Sequence, residues 1–410
     1  MSVSRTLPAR CLRLCGGVAL LAACGRGEAG RAESLVRDSA GVRLVTVSAS
    51  EVASAPEWRL DDSAVLVVGR GESPDEGSRF YMVTGLRAVA GGGMVVVTDA
   101  SKQYITFDST GSEVSVLGRM GRGPGEFQHV ELISSDSPDS LALFDAISRR
   151  LSIASPSDRP SRQLDVRASS VGRIQPVHLF EHGGLLARVD GPIPEATASG
   201  TVRHRARVII VDSSLRLVSD LGTFESVEAV VRIDPEFGEL WAEPPPYARR
   251  LHLHVVDSLV MVAEGGPFEY RLIDGAGALR SVVRIDLPRM LVTRRMREAV
   301  RAKVQRFMTD PYATREWTLL SSDDVFPDSL SGFDRSLVSR DGRLWLRRGA
   351  DAAQESAEWL VLDPSGSVVA RVEAPQSLEL TDVDASWAVG IWTDDLGRQQ
   401  LHRYPLQRAP

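Results

Sequence analysis

The amino-acid sequence predicts an all-β protein, a six-bladed β-propeller with one helical insertion. Short apolar segments occur in pairs along most of the chain, and polar or glycine-containing turns separate them. The pairs recur at a spacing close to the roughly 40–50 residues of a four-stranded propeller blade. The length of 410 residues could suit two or three ordinary domains, but large all-β folds run long as one unit.

The N-terminus has the composition of an export signal. Three arginines precede its apolar part: Arg5, Arg10 and Arg13. The apolar segment 14–23 is too short for a permanent membrane span, and it ends in Leu-Ala-Ala-Cys at residues 21–24. This ending resembles the lipobox of bacterial lipoproteins, which implies a lipoprotein signal peptide at residues 1–23 and diacylglycerol on Cys24. An ordinary signal peptide with an unrelated cysteine is the alternative.

An acylated Cys24 would hold the protein on a lipid bilayer, since more than one acyl chain anchors a protein durably. Serine, glycine and charged residues dominate the next segment, so residues 24–40 are predicted to be a tether and residues 41–410 the propeller. Gly25 stands where the Gram-negative lipoprotein pattern places the aspartate of inner-membrane retention. The resemblance thus implies a cell-envelope protein on the outer membrane, facing the periplasm or the exterior.

The composition excludes several function classes. The other two cysteines, Cys11 and Cys15, lie in the signal peptide, so the mature chain has no disulfide, cysteine–zinc site or cysteine nucleophile. Removing the three signal arginines from 48 Lys+Arg leaves 45 against 54 Asp+Glu, a formal net charge of −9. An acidic surface argues against nucleic-acid binding. No segment after residue 24 is apolar for long enough to cross a membrane.

Six strand pairs define the predicted blades. They are Met94–Thr98 with Tyr104–Asp108, Leu141–Phe144 with Leu151–Ala154, Leu185–Arg188 with Val208–Asp212, Leu259–Ala263 with Tyr270–Ile273, Leu344–Arg347 with Trp359–Asp363, and Val389–Trp392 with Leu401–Tyr404. Marker residues in the first members lie 46, 44, 74, 85 and 45 residues apart. The two long spacings each contain an insertion, and subtracting the insertions restores a period of about 45 residues.

The insertions and the ring closure complete the predicted architecture. Residues 190–206 are predicted to be a loop, and residues 287–325 to contain a helix. An open ring leaves strand edges unpaired. Because the apolar segments 42–47 and 65–68 precede the first blade, an N-terminal strand is predicted to complete the last blade. Two stacked β-domains or a sandwich are the alternative.

Three segments carry a resemblance to a family: Asp38–Val42, Pro56–Trp58 and the glycine motif Gly118–Phe127. Together they look like bacterial lipoproteins of the six-bladed propeller type, which are related in pattern to NHL-repeat propellers. The resemblance spans most of the mature chain but has no clear copy in residues 155–255. It implies a fold and no particular reaction.

The glycine motif has two interpretations. The backbone N–H groups of a glycine-rich loop can bind phosphate, but such loops precede a helix and usually contain Lys-Ser or Lys-Thr. Here a β-rich segment follows. The motif is therefore predicted to join two blades, with Pro124 stiffening the connection and Phe127 wedged between sheets.

Residues 293–310 are predicted to form a helix that ends before Pro311. Its apolar residues share one face: Met296, Val300, Val304, Phe307 and Met308. The other faces are basic. The helix is either a docking element for a partner or a membrane surface, or a lid whose apolar face packs on the propeller.

Few residues suggest a chemical site. His252 and His254 share one face of a strand, which can begin a metal site, although hydrogen-bonded strand histidines are commoner. Asp99 and Asp145 occupy equivalent places in successive blades, where they either bind Ca²⁺ or cap turns. No Ser–His–Asp set is recognisable, since geometry rather than spacing defines one. The sequence predicts no catalytic or cofactor-binding residue and no cofactor, and leaves a metal open.

The leading prediction is a membrane-anchored binding scaffold that recognises a protein, peptide or glycan with loops on one face. Trp241 and Trp317 lie in irregular regions that such a face would use. One alternative is an enzyme at the central channel, either a metal-dependent, lactonase-like hydrolase or a lyase. Three or more convergent Asp, Glu, His or Asn side chains at the channel would favour the enzyme. Another alternative is a structural component of an envelope assembly.

Overall fold

The structure is a computed structural model, and it describes residues 34–69, 80–192, 200–233, 240–305, 320, 322–349, 351, 354–394 and 396–408. The predicted signal peptide and Cys24 lie outside these residues. Within the described ranges, β-strands predominate and are arranged as six blades around a central channel. No helix in these ranges is both long and apolar enough to span a bilayer.

The elements are given in chain order. The N-terminal segment contains β1 (Leu35–Ser39), β2 (Val42–Ser48), α1 (Ala49–Ser54), β3 (Glu57–Leu60) and β4 (Leu66–Val68). Blade 1 contains β5 (Val83–Ala88), β6 (Met94–Thr98), β7 (Gln103–Phe107) and β8 (Glu113–Leu117). Blade 2 contains β9 (Val130–Ser135), β10 (Leu141–Asp145), β11 (Arg150–Ala154) and β12 (Arg162–Asp165). Blade 3 contains β13 (Gln175–Leu179), β14 (Leu185–Asp190), β15 (Gly200–Val211), β16 (Leu217–Ile233) and β17 (Leu240–Glu243).

The second half follows the same plan. Blade 4 contains β18 (His252–Val256), β19 (Leu259–Ala263), β20 (Glu269–Ile273) and β21 (Leu279–Asp286), and helix α2 (Arg294–Gln305) follows it. Blade 5 contains β22 (Phe333–Val338), β23 (Leu344–Arg348), β24 (Ser356–Leu362) and β25 (Val368–Pro375). Blade 6 contains β26 (Leu378–Val383), β27 (Trp387–Thr393) and β28 (Gln399–Gln407). Short 3₁₀ turns lie at Ala90–Gly92, Val166–Ala168 and Asp323–Val325.

The six predicted strand pairs are confirmed as the second and third strands of the six blades. Middle strands have neighbours on both edges and blades on both faces, so they read as nearly continuous apolar runs. Strand β6, with the sequence Met-Val-Val-Val-Thr, is buried at every position. This is why the middle strands carry the clearest sequence signal.

The ring is closed. Each innermost strand contacts the innermost strand of the next blade, in the order β5, β9, β13, β18, β22, β26 and back to β5. Strand β4 pairs antiparallel with β28 and so forms the outer strand of blade 6. The prediction that an N-terminal strand completes the last blade is confirmed, and the two-domain and sandwich alternatives are wrong.

The rest of the N-terminal segment corrects two expectations. Residues 42–47 do not join the last blade, because β2 runs parallel to β21 on the outer edge of blade 4. Strand β1 pairs with β2, so residues 35–39, which the sequence assigns to the tether, belong to a sheet. Strand β3 lies between β25 and β28 and joins blades 5 and 6.

The described part of the first insertion is mostly strand instead of the predicted loop. Strand β14 extends to Asp190 and β15 begins at Gly200, with residues 193–199 outside the described chain. The part of β15 before Ala206 pairs with β16 beyond the end of the β14 ladder. The hairpin β15/β16 therefore projects past blade 3. Strand β15 begins with Gly-Thr-Val followed by three consecutive basic residues, Arg203, His204 and Arg205, a polar composition that resembles a loop in sequence.

The second insertion contains the predicted helix, α2, and residues 306–310 of the prediction lie outside the described chain. Met296 and Val304 of α2 are buried against Val230 of the projecting hairpin and against Phe326. The apolar face of the helix is thus used within the molecule, which supports the lid interpretation over docking through that face.

The glycine motif joins blades 1 and 2, as predicted. Phe127 is 1% exposed and packs with residues of both blades, including Tyr104 and Leu143. Gly118 has φ +90°, and a Cβ there would lie 2.7 Å from the carbonyl oxygen of Lys102, so glycine is required. The loop interior holds a carboxylate of this chain, because the Gly123 N–H donates to Glu126 at 2.8 Å.

Candidate functional site

The central channel is a cavity of about 670 Å³ whose wall contains both polar and apolar side chains. All six innermost strands contribute to its wall. The polar and charged side chains of the wall include Ser134, Asp136, His178, His254, Ser336, Arg340 and Asp382. Ligand pockets commonly have volumes of roughly 300–1,000 Å³ and contain a few convergent polar groups. The channel therefore has the size and chemistry of a binding site.

A second cavity of about 600 Å³ lies between helix α2 and the edges of blades 4 and 5. Val300 and Val304 of the helix form part of its wall, and His252 lines it from β18. Its other charged wall residues are mostly basic: Arg250, Lys303, Arg335 and Arg347, with Asp334 as the acidic one. Helix α2 is therefore a lid over this cavity.

A serine links the two cavities. The Ser336 hydroxyl lies 2.8 Å from His252 Nδ1 and 2.8 Å from His254 Nε2. His252 faces the cavity beneath the lid, whereas His254 and Ser336 face the channel. Alternation along β18 places both rings on one side of the strand, as the sequence predicts. The two histidines bind one hydroxyl between them.

Both histidines are held in the neutral form. Burial, with the neighbouring His254 and two arginines adding to it, lowers the pKa of His252 to about 3. Burial also lowers the pKa of His254 to about 4. Across the described part of the chain, no three His, Cys, Asp or Glu side chains are close enough to hold a metal ion together. Within the described chain, His252 and His254 therefore have no third such side chain with which to hold a metal ion.

These pKa values predict that acid destabilises the protein. The unfolded chain binds protons near the ordinary histidine pKa of about 6.5, whereas folded His252 and His254 bind them only near pH 3 and 4. Their contribution is therefore complete above about pH 6.5 and is lost as the pH falls below it. We expect the double variant His252→Gln/His254→Gln to lose less stability than wild type between pH 6.5 and 4.5, by roughly 2–5 kcal/mol.

The measurement is urea unfolding at several pH values, followed by circular dichroism. His204→Gln is the matched control, because His204 lies on the projecting hairpin and not in either cavity. It should keep the pH dependence of wild type. An unchanged pH dependence in the double variant would show that these two rings are not the groups that protonate on unfolding.

A Ser–His–Asp arrangement lies in the channel wall. The Ser134 hydroxyl is 2.8 Å from His178 Nδ1, and His178 Nε2 is 2.7 Å from an Asp136 carboxylate oxygen. The other Asp136 oxygen accepts the N–H of Glu181 at 2.9 Å, which holds the carboxylate in place. Ser134 and Asp136 are exposed to the channel, while His178 is 6% exposed.

The strand arrangement explains how these residues meet. Ser134 and Asp136 lie at the end of β9, and β13 pairs with β9 in parallel so that His178 stands opposite Ser134. Burial lowers the pKa of His178, although the Asp136 carboxylate opposes this shift. The sequence analysis missed this set, because the parallel pairing of two innermost strands has no local signal. The pattern in the sequence that could have indicated this set is the alternation of Ser134 and Asp136 at the end of a strand.

Asp99 and Asp145 do not line the channel. Asp145 accepts the backbone N–H groups of Gln128, Ile147 and Ser148 at 2.8–3.0 Å. Asp99 accepts the N–H of Val130 at 2.9 Å and pairs with Lys102. Both carboxylates are used within the protein, which favours turn capping over Ca²⁺ binding.

An ion pair joins three blades at the channel wall. Arg340, after β22, lies 2.7 Å from the Asp382 carboxylate of β26. Asp382 also accepts the N–H of Ala88 at the end of β5, and Arg340 donates to the carbonyl of the same residue. Blades 5, 6 and 1 are thereby connected through three residues.

The structure describes neither side chain of the two tryptophans that the sequence predicts for a ligand-binding face. The Trp241 side chain and Trp317 lie outside the described chain. The other tryptophans lie in strands, and Trp345 and Trp359 are buried in the core of blades 5 and 6. They pack between sheets, as predicted.

Comparison with known proteins identifies no family, since no family model matches the chain and no curated protein is similar to it in sequence. Several solved structures are similar to it. One is a "putative exported protein" of Bacteroides fragilis, with a TM-score of 0.45, 10% identity and coverage of 90% of this chain and 100% of that one. Another is a DUF4221 family member of Bacteroides vulgatus, with a TM-score of 0.43, 10% identity and coverage of 87% and 100%. A third is the β-propeller domain of Cps50 from Myceliophteria thermophila, with a TM-score of 0.37, 10% identity and coverage of 82% and 99%.

Proposed function

We propose that this protein is a lipid-anchored β-propeller of the cell envelope that binds the end of a glycan or peptide in its central channel. The observation that carries the proposal is the cavity of about 670 Å³ to which all six innermost strands contribute polar groups. Hydroxyl, imidazole and carboxylate groups in its wall match the hydroxyl and amide groups of such ligands. The anchor is Cys24, and the outer membrane is the proposed location.

The channel wall supports binding by a rigid site. The innermost strands form a closed ring, and the Arg340–Asp382 pair fixes three of the blades relative to one another. Binding in a rigid site costs conformational entropy of the ligand but little conformational entropy of the protein, and this favours affinity. The basic cavity under helix α2 is separated from the channel by the His252–Ser336–His254 contact, so these three side chains close the channel on that side.

The absence of thiols in the mature chain beyond Cys24 allows a direct test. Pro138 is exposed at the channel wall, and a single cysteine placed there can be modified after folding with a bulky maleimide. Binding of short oligosaccharides and short peptides is measured by calorimetry before and after modification of the Pro138→Cys variant. We expect a ligand of one of these two classes to bind, and modification to weaken that binding at least about tenfold, which is about 1.4 kcal/mol.

Leu396→Cys is the matched control. Leu396 is 58% exposed and does not line the channel, so the same modification there should leave binding unchanged. Equal binding before and after modification at position 138 would place the ligand elsewhere. Failure of both ligand classes to bind the unmodified protein would refute the proposal.

A further inference from the structure

We propose that the channel is also a catalytic site, in which Ser134, His178 and Asp136 hydrolyse a carboxylic ester. The inference rests on the proposed function, since the ester must enter the same channel. It adds a reaction and a substrate class to binding. It is carried by the contacts of Ser134 with His178 and of His178 with Asp136, at 2.8 and 2.7 Å.

The hydrogen-bonding pattern determines which atom carries the reactive proton. A neutral imidazole has one N–H and one acceptor nitrogen. The Asp136 carboxylate accepts only, so His178 Nε2 carries the proton and Nδ1 is left as the acceptor. The Ser134 hydroxyl lies within reach of two acceptors, Nδ1 at 2.8 Å and the carbonyl oxygen of Val177 at 3.1 Å. The shorter contact directs the hydroxyl proton to Nδ1, as a general base requires.

The environment keeps the base ready and the nucleophile accessible. Burial lowers the pKa of His178, so the ring is neutral at neutral pH and can take a proton. Ser134 is exposed to the channel, whereas the imidazole lies behind it and is nearly inaccessible. Asp136 acts as a positioning residue, because its second oxygen is fixed by the Glu181 N–H and its first orients the ring.

The reaction balances without any further reagent. Ser134 Oγ forms a bond to the carbonyl carbon of the ester, and the hydroxyl proton passes to His178 Nδ1. The bond from that carbon to the alcohol oxygen then breaks, and the alcohol leaves with the proton. Water attacks the acylated Ser134 in the same way, giving the acid and restoring the serine. One ester and one water yield one acid and one alcohol.

The Ser336 site shows by contrast why Ser134 is the nucleophile. Ser336 also contacts imidazole nitrogens at 2.8 Å, from His252 and His254. Within the described chain, however, neither of those rings has a carboxylate partner among its hydrogen bonds. A proton transferred from Ser336 would leave a buried imidazolium without a counter-ion, whereas Asp136 stabilises the charge on His178.

A fluorophosphonate probe tests the nucleophile on the purified full-length protein. We expect peptide mass spectrometry to find the probe on Ser134. Ser134→Ala should abolish labelling, and His178→Gln should slow it at least about 100-fold. Ser155→Ala is the matched control, because Ser155 also contacts a carboxylate, that of Asp158 at 2.7 Å, but lies outside the channel. It should be labelled at Ser134 like wild type.

The pH profile of p-nitrophenyl acetate hydrolysis tests the role of Asp136. In wild type the rate should rise with pH as His178 loses its proton. Because the Asp136 carboxylate raises the pKa of His178, Asp136→Asn should move the midpoint to lower pH as well as reduce the rate. A merely structural role would reduce the amount of folded protein without moving the midpoint.

The outcomes separate this inference from the proposed function. No probe on Ser134, or labelling that His178→Gln leaves unchanged, overturns the catalytic inference. In that case the channel-blocking experiment at position 138 still decides whether the channel binds a ligand. If Ser134 reacts as expected and the blocked channel still binds its glycan or peptide ligand, the binding proposal fails and the hydrolytic site stands.

Discussion

Replacing Asp382 by alanine is expected to lower the free energy of unfolding by about 3–5 kcal/mol, because it leaves a mostly buried cation without its partner. The Asp382 and Arg340 side chains are 11% and 28% exposed, and the carboxylate also accepts the N–H of Ala88. Arg340 stacks over Trp387, with its guanidinium carbon 5.1 Å from the ring centroid, and cannot turn to water without losing that contact. Urea unfolding monitored by tryptophan fluorescence measures the loss.

A double variant distinguishes a missing partner from a damaged core. Arg340→Leu/Asp382→Leu removes both charges and should be more stable than Asp382→Ala, since no unpaired charge remains. Glu298→Ala is the surface control. It removes an ion pair with Arg294 whose side chains are 92% and 56% exposed, so stability should hardly change. A loss below about 1 kcal/mol for Asp382→Ala would show that water already shields the pair.

Replacing Cys24 by serine is expected to move nearly all of the protein, once its signal peptide has been removed, from the membrane fraction to the soluble fraction. The lipobox-like segment Leu-Ala-Ala-Cys at residues 21–24 predicts acyl chains on this thiol, and serine has no sulfur to accept them. No helix within the described chain can substitute as a membrane span. Fractionation and incorporation of labelled fatty acid measure the change.

Cys15→Ser is the matched control for anchoring. Cys15 lies in the apolar part of the predicted signal peptide and is removed with it, so this variant should remain on the membrane and keep its label. A Cys24→Ser protein that stays with the membrane after its signal peptide has been removed would contradict the lipoprotein prediction.

The middle strands could be predicted from the sequence, because two buried faces give an unbroken apolar run. The buried strand β6 is one example. The N-terminal strands could be predicted from the sequence, but the strands with which they pair could not. The partner of β2 is β21, more than 230 residues away, and a parallel pairing at that distance leaves no local pattern in the sequence.

Strands with a polar composition could not be predicted from the sequence. Strand β15 begins with Gly-Thr-Val-Arg-His-Arg, a composition that favours a loop until the facing β16 is known. None of residues 200–205 is buried, because a hairpin that projects from a blade is solvated on more of its surface. The composition of a segment therefore predicts whether its residues are buried better than it predicts whether they form a strand.

The candidate site could be predicted in part. The shared face of His252 and His254 follows from strand geometry alone. The contact of His178 with Ser134 depends on two innermost strands that run side by side around the channel, 44 residues apart in sequence. Such contacts depend on how neighbouring blades are placed relative to each other. A single sequence therefore shows which residue types are present but not which side chains contact one another.

If Cys24 is acylated as the sequence predicts, the position of β1 limits how the propeller sits on the membrane. The described chain starts at Ser34 and enters the sheet at the outer edge of blade 4, ten residues after Cys24. Ten residues span at most about 36 Å when fully extended. An acyl group on Cys24, which the sequence predicts, would therefore attach the propeller by the rim of the disc rather than by either flat face. The propeller could then rest edgewise, with both ends of its channel open to the aqueous phase.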